Sequence, residues 1–82
     1  MDIATGIYQH YKGQQYRVIG LARHSETEQE LVVYQTLYGK YDLWVRPLTM
    51  FLETVEVAGV TQPRFKLVKE EKYRLRQSKP AN

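Results

Sequence analysis

The densest run of reactive side chains in this sequence is Arg23-His24-Ser25-Glu26, set within Ala22 to Thr27. A cation, an imidazole, a hydroxyl and a carboxylate follow one another. Arg23 offers a planar fork that fits a carboxylate or a phosphate. The His24 ring can donate or accept, and Ser25 and Glu26 can hold an amide, an amine or a sugar hydroxyl. Apolar, strand-like segments flank the run, and connections on a rigid scaffold are where binding groups concentrate. The same residues also have a purely structural reading. Ser25 would then bond the loop backbone, and Glu26 would pair with Arg23 or Arg46.

A second constellation is Trp44 and Arg46. Residues two apart in a strand share a face, so an indole and a guanidinium would stand side by side there. Such a face can stack and clamp a planar ligand such as a base, and Tyr34 from the preceding strand could join it. The structural alternative has Trp44 filling the core or covering an open end, with Arg46 reaching a surface carboxylate along its aliphatic stem.

Catalytic and metal chemistry fit less well. His24-x-Glu26 matches part of the zinc deaminase signature, which also requires a downstream Pro-Cys-x-x-Cys, and the chain has no Cys. A zinc site takes at least three protein ligands, and only His10, Glu26 and Glu30 could join His24. Neither a metal nor another cofactor is expected. Ser25, His24 and Glu26 are too close in sequence to adopt the mutual geometry of a triad, and no Gly-x-Ser-x-Gly elbow is present. An enzyme with His24 and Glu26 as acid and base is the weakest of the readings.

The elements that must position these groups are short strands separated by turn signals. Gly6 to His10 reads as a first strand, followed by a turn at Gly13. Gln15 to Ala22 is the second, with Tyr16 and Val18 on one face and Ile19 and Leu21 on the other. Gly20 within it marks a bend or bulge. Glu30 to Leu37 is rich in β-branched and aromatic residues and forms a third strand. Val32, Tyr34 and Thr36 share one of its faces. Leu43 to Arg46 is a fourth, which Pro47 ends. Leu48 to Leu52 is one helical or 3-10 turn with Thr49 as its cap, and Met50-Phe51-Leu52 plugs the barrel. Glu53 to Val57 alternates as a fifth strand, Ala58 to Pro63 turns the chain, and Arg64 to Leu67 is a short last strand anchored by Phe65.

Eighty-two residues make one domain. A chain this size buries only about 60% of its unfolded surface, so the seven Tyr, two Phe and single Trp must carry much of the core. Lacking Cys, the chain has neither disulfides nor thiolate sites. No signal peptide is visible at the start, and no apolar run approaches the ~20 residues of a membrane span. A soluble cytoplasmic protein without membrane contact is expected. The net charge of +3 is unevenly spread. Through Phe65 the acids slightly outnumber the bases; from Lys66 onward Lys66, Lys69, Lys72, Arg74, Arg76 and Lys79 face only Glu70 and Glu71. The organisation expected is a β domain over 1–67 and a basic, partly disordered tail over 68–82. A nucleic-acid footprint on the domain itself is weakly supported.

Several blocks then fall in one order: Gly6-Ile7-Tyr8, His10-Tyr11-Lys12-Gly13, Tyr16-Arg17-Val18-Ile19-Gly20, Ala22-Arg23-His24-Ser25-Glu26-Thr27, Leu31-Val32-Val33-Tyr34, Leu37-Tyr38-Gly39, Leu43-Trp44-Val45-Arg46-Pro47-Leu48 and Met50-Phe51. From about Gly6 to Phe65 the chain resembles the bacterial domain of unknown function 1653 family. The resemblance implies a small SH3-type barrel. It brings no activity, substrate, cofactor or catalytic residue. It implies a shared pattern of polar and aromatic positions at Arg23, His24, Ser25, Glu26, Tyr34, Trp44 and Arg46.

The sequence therefore predicts an all-β, small SH3-like barrel of five to six short antiparallel strands with one short helical or 3-10 turn. As function it predicts a non-catalytic module that binds a small polar or planar ligand, such as a nucleotide, a modified base or a peptide terminus. Arg23, His24, Ser25, Glu26, Tyr34, Trp44 and Arg46 are the candidate binding residues. The alternative is a protein-interaction domain or homo-oligomer that uses exposed aromatics, the edge of the fifth strand and the basic tail.

Overall fold

The computed structural model describes residues 3–72; the stretch from Gln77 to Asn82, expected to be disordered, lies outside them. The first four strands form a meander: β1 (Gly6–His10), β2 (Gln15–Arg23), β3 (Glu30–Thr36) and β4 (Leu43–Pro47). A single turn of helix follows, α1 (Leu48–Phe51), then β5 (Thr54–Val57), β6 (Val60–Pro63) and β7 (Phe65–Glu70). β7 returns to lie beside β1, so the main sheet has the order β4-β3-β2-β1-β7, and β5 and β6 form a separate two-stranded sheet. All pairings are antiparallel. The all-β architecture and its one short helix match the expectation. Among the described residues the strands number seven rather than five to six, and the two sheets do not join into a closed barrel.

Two of these strands differ from the sequence reading. Val60 to Pro63 was expected within a turn and instead pairs with β5, Val57 facing Val60. Ala58 (φ 51°) and Gly59 (φ 80°) supply the two-residue loop with positive φ at both centres, the geometry that matches strand twist in a tight hairpin. An alanine there costs about 1 kcal/mol relative to glycine, which is why Ala-Gly does not read as a hairpin signal. β7 continues past Leu67 to Glu70 because Lys69 and Glu70 pair with Ile7 and Gly6. The anticipated Thr49 cap does not form: Pro47 holds the N-cap position and no side chain caps α1.

The core is one cluster of Tyr8, Tyr16, Val18, Val32, Tyr34, Leu48, Phe51 and Phe65. A bulge in β2 explains how the sheet wraps it. Val18 faces Tyr34, but the next paired residue is Gly20, facing Val33. A one-residue shift moves the following side chains to the opposite face. Tyr16 and Val18 point inward before the bulge, and Leu21 packs against the same core after it. Strict alternation across Gly20 would place Leu21 on the other face; the bulge brings it inward.

Aromatic rings dominate the centre. Phe51 and Phe65 stack at 4.2 Å with nearly parallel planes. Tyr8 meets Phe51 edge-on at 5.2 Å, and Tyr16 meets Tyr34 edge-on at 5.3 Å. Of the anticipated plug, Phe51 alone is buried; Met50 and Leu52 face outward. Among the glycines, Gly6 marks the tightest backbone approach. Its φ is 143°, and a Cβ there would press on the Lys69 carbonyl and lie 2.7 Å from the Glu71 nitrogen. Thr5 completes this seam: its hydroxyl donates to the Glu71 carbonyl, and its own carbonyl accepts from the Glu71 N–H at 2.9 Å.

Candidate functional site

The β2–β3 connection is ordered by its own polar groups. The His24 N–H donates to the Gln29 carbonyl at 2.8 Å, and the Glu28 N–H donates to the His24 carbonyl at 2.9 Å. The His24 side chain folds into the turn. Its Nδ1 accepts from the backbone N–H of Glu26 at 3.1 Å and of Thr27 at 3.3 Å, which assigns the ring proton to Nε2. Arg23 Nη1 donates to the Glu28 carbonyl at 3.2 Å, and Thr27 Oγ1 accepts from the Gln29 N–H at 3.2 Å. Glu28 sits in the left-handed region at φ 62°, held there by these bonds. His24 thus plays the part that Asn or Asp plays in an Asx-turn. The Ser25 and Glu26 side chains are exposed.

Tyr34, Trp44 and Arg46 do come together. Register pairs Tyr34 with Trp44 and Val32 with Arg46. The Trp44 ring stands edge-on to Tyr34 at 6.2 Å and is 46% exposed. Arg46 Nε donates to the Tyr34 hydroxyl at 3.4 Å, and its guanidinium lies over the Phe65 ring at 5.5 Å. One aromatic face is therefore buried by Tyr34 and Phe65 and left open by Trp44, with a cation across it. Tyr16, packed behind Tyr34, has its hydroxyl 3.1 Å from that of Tyr38. Burial, then this hydrogen bond, pushes the Tyr16 phenol well above its ordinary range, so it remains protonated.

A third place was not singled out from the sequence. Gln9 and His10 of β1, Tyr11, Gln62 and Pro63 of β6, and Lys66 of β7 line a cavity of about 320 Å3. The His10 ring is tilted against Tyr11 at 4.6 Å and edge-on to Phe65 at 4.9 Å. Its Nδ1 accepts from the Lys12 N–H at 3.1 Å. Burial, followed by the positive charges of Arg64, Arg46 and Lys12, holds the His10 imidazole below its ordinary value of 6.5. Arg64 pairs with Glu53 at 3.3 Å. Among the described residues, no group of three His, Asp or Glu side chains is placed to hold a metal ion, and no helix is long and apolar enough to cross a membrane.

Residues 6–67 match the model of the family described as Protein of unknown function (DUF1653). The chain belongs to the DUF1653 family. A crystal structure of a DUF1653 protein from Bordetella bronchiseptica is similar throughout, with 38% identity and a TM-score of 0.77. The match covers 88% of this chain and 95% of that one. No curated protein matches the chain. Two parts of the candidate site in this DUF1653 domain were within reach of sequence reasoning because each lies within one hairpin. The His10 cavity was not, because its walls come from β1, β6 and β7. The only local hint was His10 beside Tyr11, which reads as strand end and turn.

Proposed function

We propose that this DUF1653 domain is a non-catalytic, cytoplasmic binding module for a small polar or planar ligand. The observation that carries the reading is the half-exposed Trp44 indole, edge-on to Tyr34, with Arg46 on the same face. A planar group laid on Trp44 would gain stacking and a neighbouring positive charge. In this reading Arg23 and His24 shape the adjoining hairpin, and the exposed Ser25 and Glu26 supply polar contacts. The test uses Trp44 itself, the one Trp of the chain. Its emission is followed while nucleosides, nucleotides, amino acids and short oligonucleotides are titrated. A saturable change that Arg46→Ala weakens supports the reading. No change with any compound up to about 1 mM, a Kd worth only about 4 kcal/mol, refutes it.

A second reading rests on β4. It is an outer strand of the main sheet, and Leu43 (62%) and Val45 (58%) are exposed beside Trp44. Unpaired edges with apolar side chains template strand addition, so a second copy could pair there. Sedimentation over a concentration series separates the readings: a dimer lost in Val45→Lys supports self-association.

A further inference from the structure

We propose that the cavity framed by β1, β6 and β7 is a second binding site, for a small planar anion. Lys66 and the amides of Gln9 and Gln62 would hold the charged group, and Tyr11 and Pro63 would flank the flat one. The inference goes beyond the Trp44 face and does not depend on it.

Five observations support it. The volume of about 320 Å3 lies within the ~300–1,000 Å3 usual for small-molecule sites. The lining contains a lysine, two carboxamides, an imidazole, a phenol ring and a proline, and no carboxylate. The surroundings add further positive charge: Arg64, Arg46 and Lys12 all act on His10. Of these, Arg64 has its Nε buried with no hydrogen-bond partner among the described residues, and its Nη2 pairs with Glu53. An anion would relieve this crowding of like charge. The His10 ring backs that of Tyr11 at 4.6 Å, and Tyr11 with the Pro63 ring gives the flat, weakly polar surface that a planar group needs. β1 pairs with β7, and Arg64, which joins β6 to β7, is tied on both sides: its carbonyl accepts from the Tyr11 N–H at 3.0 Å and its N–H donates to the Glu53 carbonyl at 2.9 Å. The walls are therefore pre-formed.

The experiment is an NMR titration of the whole chain with adenosine monophosphate and, in parallel, with uncharged adenosine. Lys66→Gln and Gln62→Ala stand beside the native chain; Lys66 is exposed and Gln62 partly buried, and each variant's backbone spectrum verifies the fold. Saturable shifts at His10 and Lys66 with the monophosphate are expected, with adenosine and Lys66→Gln each at least about tenfold weaker. An increase in the His10 pKa on binding would accompany them, since an added negative charge favours the imidazolium. The proposal is overturned by no saturable shift up to about 10 mM, by equal affinity for adenosine, or by both variants binding as the native chain does. Shifts confined to the Trp44 indole would also overturn it and would instead place the ligand on the first face.

Discussion

Replacing His24 separates a turn that uses its imidazole as an acceptor from a loop that presents it to a ligand. His24 Nδ1 accepts two backbone N–H groups, at 3.1 and 3.3 Å. An ordinary hydrogen bond contributes about 0.5–1.5 kcal/mol net. Both N–H groups lie at the surface, where water replaces a lost partner, so each bond is placed at the low end of that range and the two together at about 1 kcal/mol. The backbone bonds that close the loop, His24 to Gln29 and Glu28 to His24, survive any side-chain change and limit the loss. For a domain of this size about 1 kcal/mol lowers Tm by about 4–8 °C. His24→Ala should show that decrease in a reversible calorimetric melt. His24→Asn should recover most of it, because an Asn side-chain oxygen accepts from the N–H two residues on. A Tm for His24→Ala within about 1 °C of the native chain, well under that range, would refute the turn account. So would an Asn variant no better than Ala.

Phe65 stacks on Phe51 and meets Tyr16, Tyr34 and His10, so Phe65→Ala should cost about 3–5 kcal/mol in urea unfolding; a loss below about 1 kcal/mol would mean that the core collapses into the gap. Gly6→Ala places a Cβ against β7 backbone at a φ that costs about 1–3 kcal/mol for other residues. Hydrogen exchange should show the β1–β7 seam opening first, and unchanged protection at Glu71 would contradict this. His10 gives a pH signature of definite sign. Its folded pKa is depressed, so the unfolded state binds the proton more readily. Stability is fully present above about pH 6.5 and is lost as pH falls toward and through the folded value. His10→Asn should flatten that slope in Tm against pH, and an unaltered slope would exclude His10 as its source.

What the sequence disclosed follows the range of the interactions involved. β1 to β4 were legible because alternation and turn residues are local signals, and Gly20 announced a departure from regularity. Its direction was not legible: whether Leu21 turns inward depends on which residue of β3 it faces. β6 was hidden by Ala58, whose positive φ is tolerated only because both flanking strands pair. The trio Tyr34, Trp44 and Arg46 follows from the register of adjacent strands. The inward turn of His24 does not, since a histidine acting as a turn acceptor has no composition signal that distinguishes it from one facing solvent. The His10 cavity depends on contacts between the two ends of the domain, which no local pattern encodes.

The seam that joins Thr5 to Glu71 spans 66 positions of sequence, and this imposes an order on synthesis. Strands β1 to β4 can pair with their neighbours as they emerge from the ribosome, but the β1 edge stays without its partner until residue 71 has been made. At roughly 5–20 residues per second that interval lasts several seconds. Throughout it the open edge of a strand carrying Ile7 and Tyr8 is exposed to other nascent chains. The nascent domain is thus most prone to mispairing at the strand that becomes interior to the finished sheet.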